Sequence, residues 1–409
     1  MGAFHSRQED QINTLLPPEL LDHVFHLLAP QDLKAAVLVC RLWREVGEAP
    51  GLWSWVGLRV TRENQSTILE ALDSRRLKSA RMLSVEEVTN EVLEAVVRHQ
   101  GLRLMKVEDA VLSTVDPNLL ARAVTRLEEL EMEFSQLTLK QREAILTSIS
   151  GGDCQLKKLN ISSMYSCDLT DIRPCLLARA VQRLEKVDMR NTKLVVQQWE
   201  EILTAISMKE SRLKRLNIGF ADLSTVDTGL LARAVNRLEK VDMYVTKLTV
   251  EQVEAILTNI STGDSQLKGL NITGINLSTL DSAMLARAVD RLEEVGLAST
   301  KLTSEQWRAI LTSIATENSK LKMLSIGNNK MSTLEPSLLA RAVIRLEKVN
   351  LLQTQLTGPQ VEAIFTAINE KGSLLKNLNI SGTNLSTLDP CLVARAVSRI
   401  KHQDLLRWV

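Results

Sequence analysis

The sequence predicts an α/β solenoid. A small helical module comes first, then a stack of strand-plus-helix repeats that forms a horseshoe with an inner parallel β-sheet and outer α-helices. Three observations predict it. The string Leu-Leu-Ala-Arg-Ala-Val begins at Leu119, Leu176, Leu230 and Leu338, with variants beginning at Met284 and Leu392. From Leu176 onward the step is a constant 54 residues, and each period holds two related units of 25 and 29 residues. The residues before the array follow a different pattern, in short apolar clusters opened by prolines.

The N-terminal module comes first in chain order. Leu15 to Leu28, with Pro17 and Pro18 near its start, reads as a short amphipathic helix. Pro30 to Leu33 marks a break and restart, and Ala36, Val39, Cys40 and Trp43 form a second apolar face. Leu52, Trp53 and Trp55 close the module. So few residues in short helices make a very small core, marginal on its own. Such a module docks on the first repeats, exposes apolar surface to a partner, or does both. The expected division is a tail over 1–13, the module over 14–58, a junction with degenerate repeats over 59–101, and the array over 102–409.

Each repeat can be read physically. Leu270 and Ile272, two apart, mark a short strand with one buried face. Leu285, Ala288, Val289 and Leu292 then recur at helical spacing. Eleven units start at Leu102, Leu127, Leu156, Leu184, Leu213, Leu238, Leu267, Leu292, Leu321, Leu346 and Leu375, with degenerate candidates near Leu77 and at Ile400. Asp116-Pro117 and Asp389-Pro390 place an N-cap before a proline at the first helical position. Thr138, Thr249, Thr303 and Thr357, each followed three residues later by Gln, read as capping boxes. A single strand and helix cannot bury its apolar face, whereas stacked neighbours can. A three-residue insertion in Ser162 to Asp168 breaks the period, and both a binding loop and a tolerated surface loop fit it.

Charge and composition narrow the function. Lys plus Arg is 50 against 49 for Asp plus Glu, and aromatics are 3%. That balance disfavours nucleic acid as the main partner. No apolar run approaches a membrane span, and the polar start is unlike a secretory signal. Five widely spaced cysteines without a C-x-x-C pair suit reduced thiols, so a cytoplasmic or nuclear residence is expected. No Gly-Lys dipeptide occurs, hence no P-loop, and no local nucleophile-base set is spelled out. His23 and His26 lie three apart on one helix, but no further metal ligand stands near them in sequence. The expectation is a chain that is not an enzyme, with no cofactor and no metal.

The repeats resemble the ribonuclease-inhibitor type of leucine-rich repeat, from about Leu77 to the C-terminus. They depart from its usual turn residue: Thr192, Thr246, Thr300 and Thr354 stand where Asn or Cys is usual, while Asn329 matches. The N-terminal module resembles the F-box over about Thr14 to Val56. The resemblance is carried by Leu16-Pro17-x-Glu19-Leu20-Leu21-x-x-Val24-Phe25-x-x-Leu28, then Asp32-Leu33-x-x-Ala36-x-x-Val39-Cys40-x-x-Trp43, then Pro50-x-Leu52-Trp53. It implies binding to the Skp adaptor and through it to a cullin scaffold. The implied adaptor contacts are Leu16, Pro17, Leu20, Leu21, Val24, Phe25, Leu28, Leu33, Val39 and Trp43. For Leu20, Leu33 and Trp43, core and interface roles fit equally. The pairing of modules implies the substrate-recognition subunit of a Skp-cullin-F-box ubiquitin ligase, with a protein substrate on the repeats. The competing expectation is a repeat scaffold or inhibitor whose N-terminal helices cap the solenoid, with Leu16 and Pro17 buried against Leu77 to Leu102.

The substrate surface is expected on the concave face, where strand residues flanking the buried positions point. Asn160, Asn217, Asn271 and Asn379 recur there and read as structural, as does the alternating Glu and Lys ladder from Glu128 to Lys376. The exceptions to the repeat are the candidates: Glu131, Glu133 and Phe134; Asp188, Arg190, Asp242 and Tyr244; and the isolated Phe220 and Leu352.

Overall fold

The computed structural model describes residues 17–28, 30–53, 57–72, 77–107, 110–133, 135–162, 167–263, 265–316, 318–370, 372–386 and 388–400. The chain forms two compact bodies, Met1–Ser163 and Met164–Val409, so the division falls inside the predicted insertion.

The first body opens with four short helices, α1 (Pro18–Phe25), α2 (Pro30–Ala36), α3 (Arg41–Gly47) and α4 (Pro50–Trp53). Leu21, Phe25, Leu33, Ala36, Val37 and Leu52 fill their core. Phe25 meets Trp43 edge to face, with ring centroids 5.4 Å apart. That geometry sets the positive ring edge against the negative ring face. A five-stranded parallel sheet follows, in the order β1 (Gly57–Val60), β2 (Met82–Val85), β3 (Leu104–Val107), β4 (Glu129–Glu131) and β5 (Lys158–Asn160). Leu58, Leu83, Met105, Leu130 and Leu159 stand in register as buried strand centres.

The degenerate repeat expected near Leu77 begins at the buried Ala80, three residues before Leu83, and Leu77 itself lies in a 3-10 turn spanning Leu77–Ser79. One further strand, β1, precedes it inside what reads as the end of the helical module. The buried His99 fastens this junction, with one ring nitrogen 3.0 Å from the Leu77 carbonyl oxygen. Its other ring nitrogen accepts from the N–H groups of Gly101 and Leu102, both at 3.1 Å.

In the second body β6 (Cys167–Asp168) and β8 (Thr192–Lys193) form a small parallel pair. The main sheet runs β7 (Lys186–Asp188), β9 (Arg215–Asn217), β10 (Lys240–Asp242), β11 (Gly269–Asn271), β12 (Glu294–Gly296), β13 (Met323–Ser325), β14 (Lys348–Asn350) and β15 (Asn377–Asn379), all parallel. One helix follows each repeat strand through Arg399, as the spacing predicts. The architecture of both bodies is therefore that of a leucine-rich-repeat solenoid, with the helical module ahead of it. The candidate repeat at Ile400 begins at the last described residue.

The alternation of 25 and 29 residues has a structural counterpart. In the 29-residue repeats the N3 glutamine of the helix is buried: Gln141, Gln198, Gln252, Gln306 and Gln360. Each accepts from the N-cap backbone N–H, as a capping box requires. The amide also reaches back into the preceding repeat. Gln252 Nε2 donates to the carbonyls of Leu223 and Val226, both at 2.8 Å. The other four glutamines make the same pair of bonds at the same offsets. Val195 stands at one N-cap where threonine is found elsewhere, so Gln198 receives no side-chain bond in return there.

The turn residues are settled as well. Thr192, Thr300 and Thr354 donate their hydroxyls to the carbonyl three residues earlier, at 2.8–2.9 Å. Thr246 reaches the preceding repeat at Ile218. Buried threonine thus takes over part of the task that Asn329 performs with three carbonyls.

Replacing Gln252 with Leu removes three hydrogen bonds and strands the Val226 carbonyl and the Thr249 N–H, while the Leu223 carbonyl keeps the Val226 N–H. At about 1–3 kcal/mol for each unsatisfied group, the expected loss is about 2 kcal/mol or more. Thr249→Ala, which loses only the forward cap, is expected to cost about 1 kcal/mol. Urea unfolding of both variants checks this, and equal losses would refute the cross-repeat role.

Candidate functional site

Two surfaces hold the predicted residues. On the helical module, the first helix carries apolar residues on both sides. Leu21 and Phe25 point inward with Leu33 of α2, each 0–1% exposed. Direct adaptor contact at these three, as the resemblance implied, is therefore corrected to a core role: burial leaves them no surface to offer. On the outer side Leu20, Val24 and Leu27 follow one another at helical spacing, 54%, 46% and 86% exposed. Pro17 is exposed beside them, and Leu38 and Val39 are exposed after α2. Leu28 and Trp43 are half-buried. Leu16 lies outside the described residues. Leu27 and Leu38 were missed because the runs Leu27-Leu28 and Val37-Leu38-Val39 do not reveal which member faces out.

The repeats present the second surface, the open face of the sheet. The residue after each buried strand centre, the fifth of its repeat, is Asp or Asn in most repeats. Its side chain accepts the N–H two residues on, as Asn217, Asn271, Asn350 and Asn379 do at 3.1–3.2 Å. The eighth residue turns left-handed in every repeat of the second body, including Asn191, Phe220, Val245 and Ser299 at φ of 53–66°. Its N–H donates to the carbonyl of the next repeat, as from Phe220 to Tyr244 at 3.0 Å. Phe and β-branched Val are poor residues for this region. Yet Phe220 and Val245 occupy it, 51% and 48% exposed.

The predicted residues of the second body divide into a cluster and an outlier. Asp188 accepts Asn217 Nδ2 on one oxygen at 3.1 Å and Arg190 Nε on the other at 3.0 Å. Burial opposes the charge of Arg190, but Asp188 and a hydrogen bond to Tyr244 outweigh it and raise the guanidinium pKa. Tyr244 in turn packs edge to face on Phe220, at 4.9 Å between centroids. Its ring lies over Gly219, where a Cβ would sit 2.4 Å from the ring carbon Cε1. Asp242 Oδ1 accepts Asn271 Nδ2 at 3.0 Å and the Tyr244 N–H at 3.4 Å. Burial pushes the Asp242 carboxyl above its usual range, and the Asp188 charge adds to that. Leu352 is the outlier, four strands from Asp242 and half-buried against Gly327. Glu131 and Glu133 are half-buried on β4 and just after it, in the first body, and Phe134 lies outside the described residues.

The Glu and Lys ladder forms in part. Lys157 with Glu128, Lys322 with Glu293 and Lys376 with Glu347 pair at 2.6–2.8 Å. Such half-exposed pairs stabilise by about 0–1 kcal/mol each. Among the described residues, no group of three or more His, Cys, Asp and Glu side chains is placed to hold a metal ion. None of their helices is long and apolar enough to cross a membrane.

Comparison with known proteins adds one domain. Residues 14–59 match the F-box-like family. Among solved structures, an internalin from Listeria monocytogenes is 18% identical, with 78% of this chain and 79% of that chain covered and a TM-score of 0.44. No curated protein matches the sequence. The chain thus joins an F-box-like module to a leucine-rich-repeat solenoid.

Asp242 yields a pH prediction. Its folded pKa is raised, so its contribution to stability is full below the ordinary carboxylate value of 3.8 and is lost as pH rises through the folded value. Asp242→Asn keeps the acceptor oxygen and abolishes the titration. The stability of the variant relative to wild type should therefore grow as pH rises from below 3.8 toward neutrality. Urea unfolding across that range checks it, and a constant difference would contradict the assignment.

Proposed function

We propose that the chain is the substrate-recognition subunit of a Skp-cullin-F-box ubiquitin ligase. The F-box-like module binds the Skp adaptor and through it a cullin, and the repeats hold a protein substrate. The observation that carries this reading is the exposed apolar line of Pro17, Leu20, Val24 and Leu27 on a module whose core is already filled. A module that served only as a cap would bury these residues against the first repeats. Here α4 packs beside the Leu77–Ser79 turn and supplies the cap, while the outer side of α1 stays open. Burying a fully exposed Leu or Val is worth about 1.5–3 kcal/mol, so three or four such residues can anchor an adaptor.

The mechanism is proximity. A substrate held on the repeats and a ubiquitin carrier held by the cullin meet as an effectively unimolecular pair. No catalytic side chain is required of this chain. Cytosol or nucleus suits its cysteines, and the alternating repeats with full helices suit the ribonuclease-inhibitor type. Substrate contacts are assigned to Asp188, Arg190, Phe220, Asp242 and Tyr244, where aromatic and guanidinium groups stand together on the open face.

Two predictions separate the surfaces. Leu20→Asp and Val24→Asp should reduce co-precipitation of the Skp adaptor from cell extract at least about tenfold, since each puts a charge into an apolar contact. Their melting temperatures should stay near wild type. Adaptor capture at the wild-type level by both variants would defeat the reading. Arg190→Ala combined with Tyr244→Ala should weaken ubiquitination of captured substrate while adaptor binding is retained. Unchanged substrate capture would remove the cluster from the binding surface.

A further inference from the structure

A trough of about 410 Å³ lies on the open face of the second body, lined by residues of β10 to β15. It exists because side chains shrink along the sheet. Gly269, Gly296 and Ser325 stand where other strands carry Lys, Asp or Asn. The missing side chain at Gly269 lets Lys240 cross β11 and bond to Glu294 on β12. A Cβ at Gly269 would lie 3.1 Å from the Lys240 stem. These two charges neutralise each other along one edge. Asn271 and Ser325 make the middle polar but uncharged.

Two charges remain at opposite ends. Asp242 uses only Oδ1 for its hydrogen bonds, and Oδ2 accepts none among the described residues. Asp188, its counterpart two strands away, is outside the trough and has both oxygens engaged. At the far end Lys348 is exposed and makes no ion pair among the described residues. Four strand steps separate β10 from β14, about 19 Å at ~4.8 Å per step. An extended chain covers that span in about six residues at ~3.3 Å each.

We propose that this trough binds an extended segment of the protein substrate, with a Lys or Arg side chain at Asp242 and an Asp or Glu side chain at Lys348, about six residues apart. The inference rests on the reading of the open face as a substrate surface. It adds an orientation, a spacing and a charge order. The cation side is favoured because Asp242 is partly desolvated and makes no ion pair among the described residues, so a bound cation recovers interaction that water no longer supplies. The partner lies across the strands, since the charged ends are on different strands and the walls run along the sheet.

The test is selection from a randomised dodecapeptide phage library on the immobilised full chain. The expected result is enrichment of peptides with a base and an acid about six residues apart. Binding of a selected synthetic peptide should fall at least about tenfold in Lys348→Glu, an exposed site where folding is not at risk. Asp242→Asn should weaken the same peptide, and Asp242→Lys with Lys348→Glu should select the reverse charge order. Absence of enrichment, enrichment without that spacing, or equal binding by wild type and Lys348→Glu would overturn the proposal. A concentration-dependent dimer that Lys348→Glu dissolves would also overturn it, since the trough would then serve a second copy of the chain. Adaptor co-precipitation by the same variants is read in parallel. Its loss in wild type would count against the ligase reading and leave the trough standing.

Discussion

A buried primary amide holds the array in its register. Each 29-residue repeat sends a glutamine from the first turn of its helix into the preceding turn, as Gln252 does to Leu223 and Val226. Those carbonyls sit in a turn, where no strand partner is available to them. The glutamine also accepts from its own N-cap, at Thr249, so one side chain serves the start of a helix and the end of another repeat. Leaving such groups unpaired in the interior would be costly. The 25-residue repeats have no counterpart: Asp227, Asp281 and Asp389 cap their helices locally, and the helix after Glu335 has no side-chain cap. The sequence therefore repeats every 54 residues although the fold repeats at each strand, because the amide ties repeats together in pairs.

The same economy governs the open face. Strand-end Asp and Asn side chains close the N–H two residues on, and the left-handed eighth residue passes its N–H to the next repeat. Glycine suits that place and is found at Gly274 and Gly382. Phe220 and Val245 are there at an energetic disadvantage, which lattice-like repetition does not require. Both are exposed, next to Tyr244 and Arg190. An exposed aromatic in the left-handed place beside a charged cluster is a departure from the repeat that the scaffold itself does not need.

Much of this was legible in the residues. Buried strand centres recur at fixed spacing, so the strands, the helices and the helix caps follow from periodicity alone. The first repeats were harder, because Ala80 does the work of a leucine and β1 overlaps the helical module. On α1 one broad apolar face holds Leu20, Leu21, Val24 and Phe25 opposite Glu19, Asp22 and His23, so Leu20 and Leu21 look alike in sequence. Only packing against Leu33 and Trp43 separates the core face from the open one. The second role of Gln252 was hidden for another reason: its partners lie 26 and 29 residues back, beyond any local motif.

Asp188 and Asp242 show where local reading ends. Both sit in the same pentapeptide, Glu-Lys-Val-Asp-Met, at 185–189 and 239–243. The residue that follows decides their fates. After the first comes Arg190, whose guanidinium folds back and engages the Asp188 oxygen that Asn217 leaves. After the second comes Tyr244, which has no charge to return and turns its ring onto Gly219 and Phe220 instead. Asp242 is left with the Asn271 amide and the Tyr244 N–H on one oxygen, no hydrogen bond to the other among the described residues, and a place at the end of the trough. A different residue after a shared pentapeptide thus leaves one carboxylate with both oxygens engaged and the other with one. That is how a repeat protein can acquire a specific site without changing its scaffold.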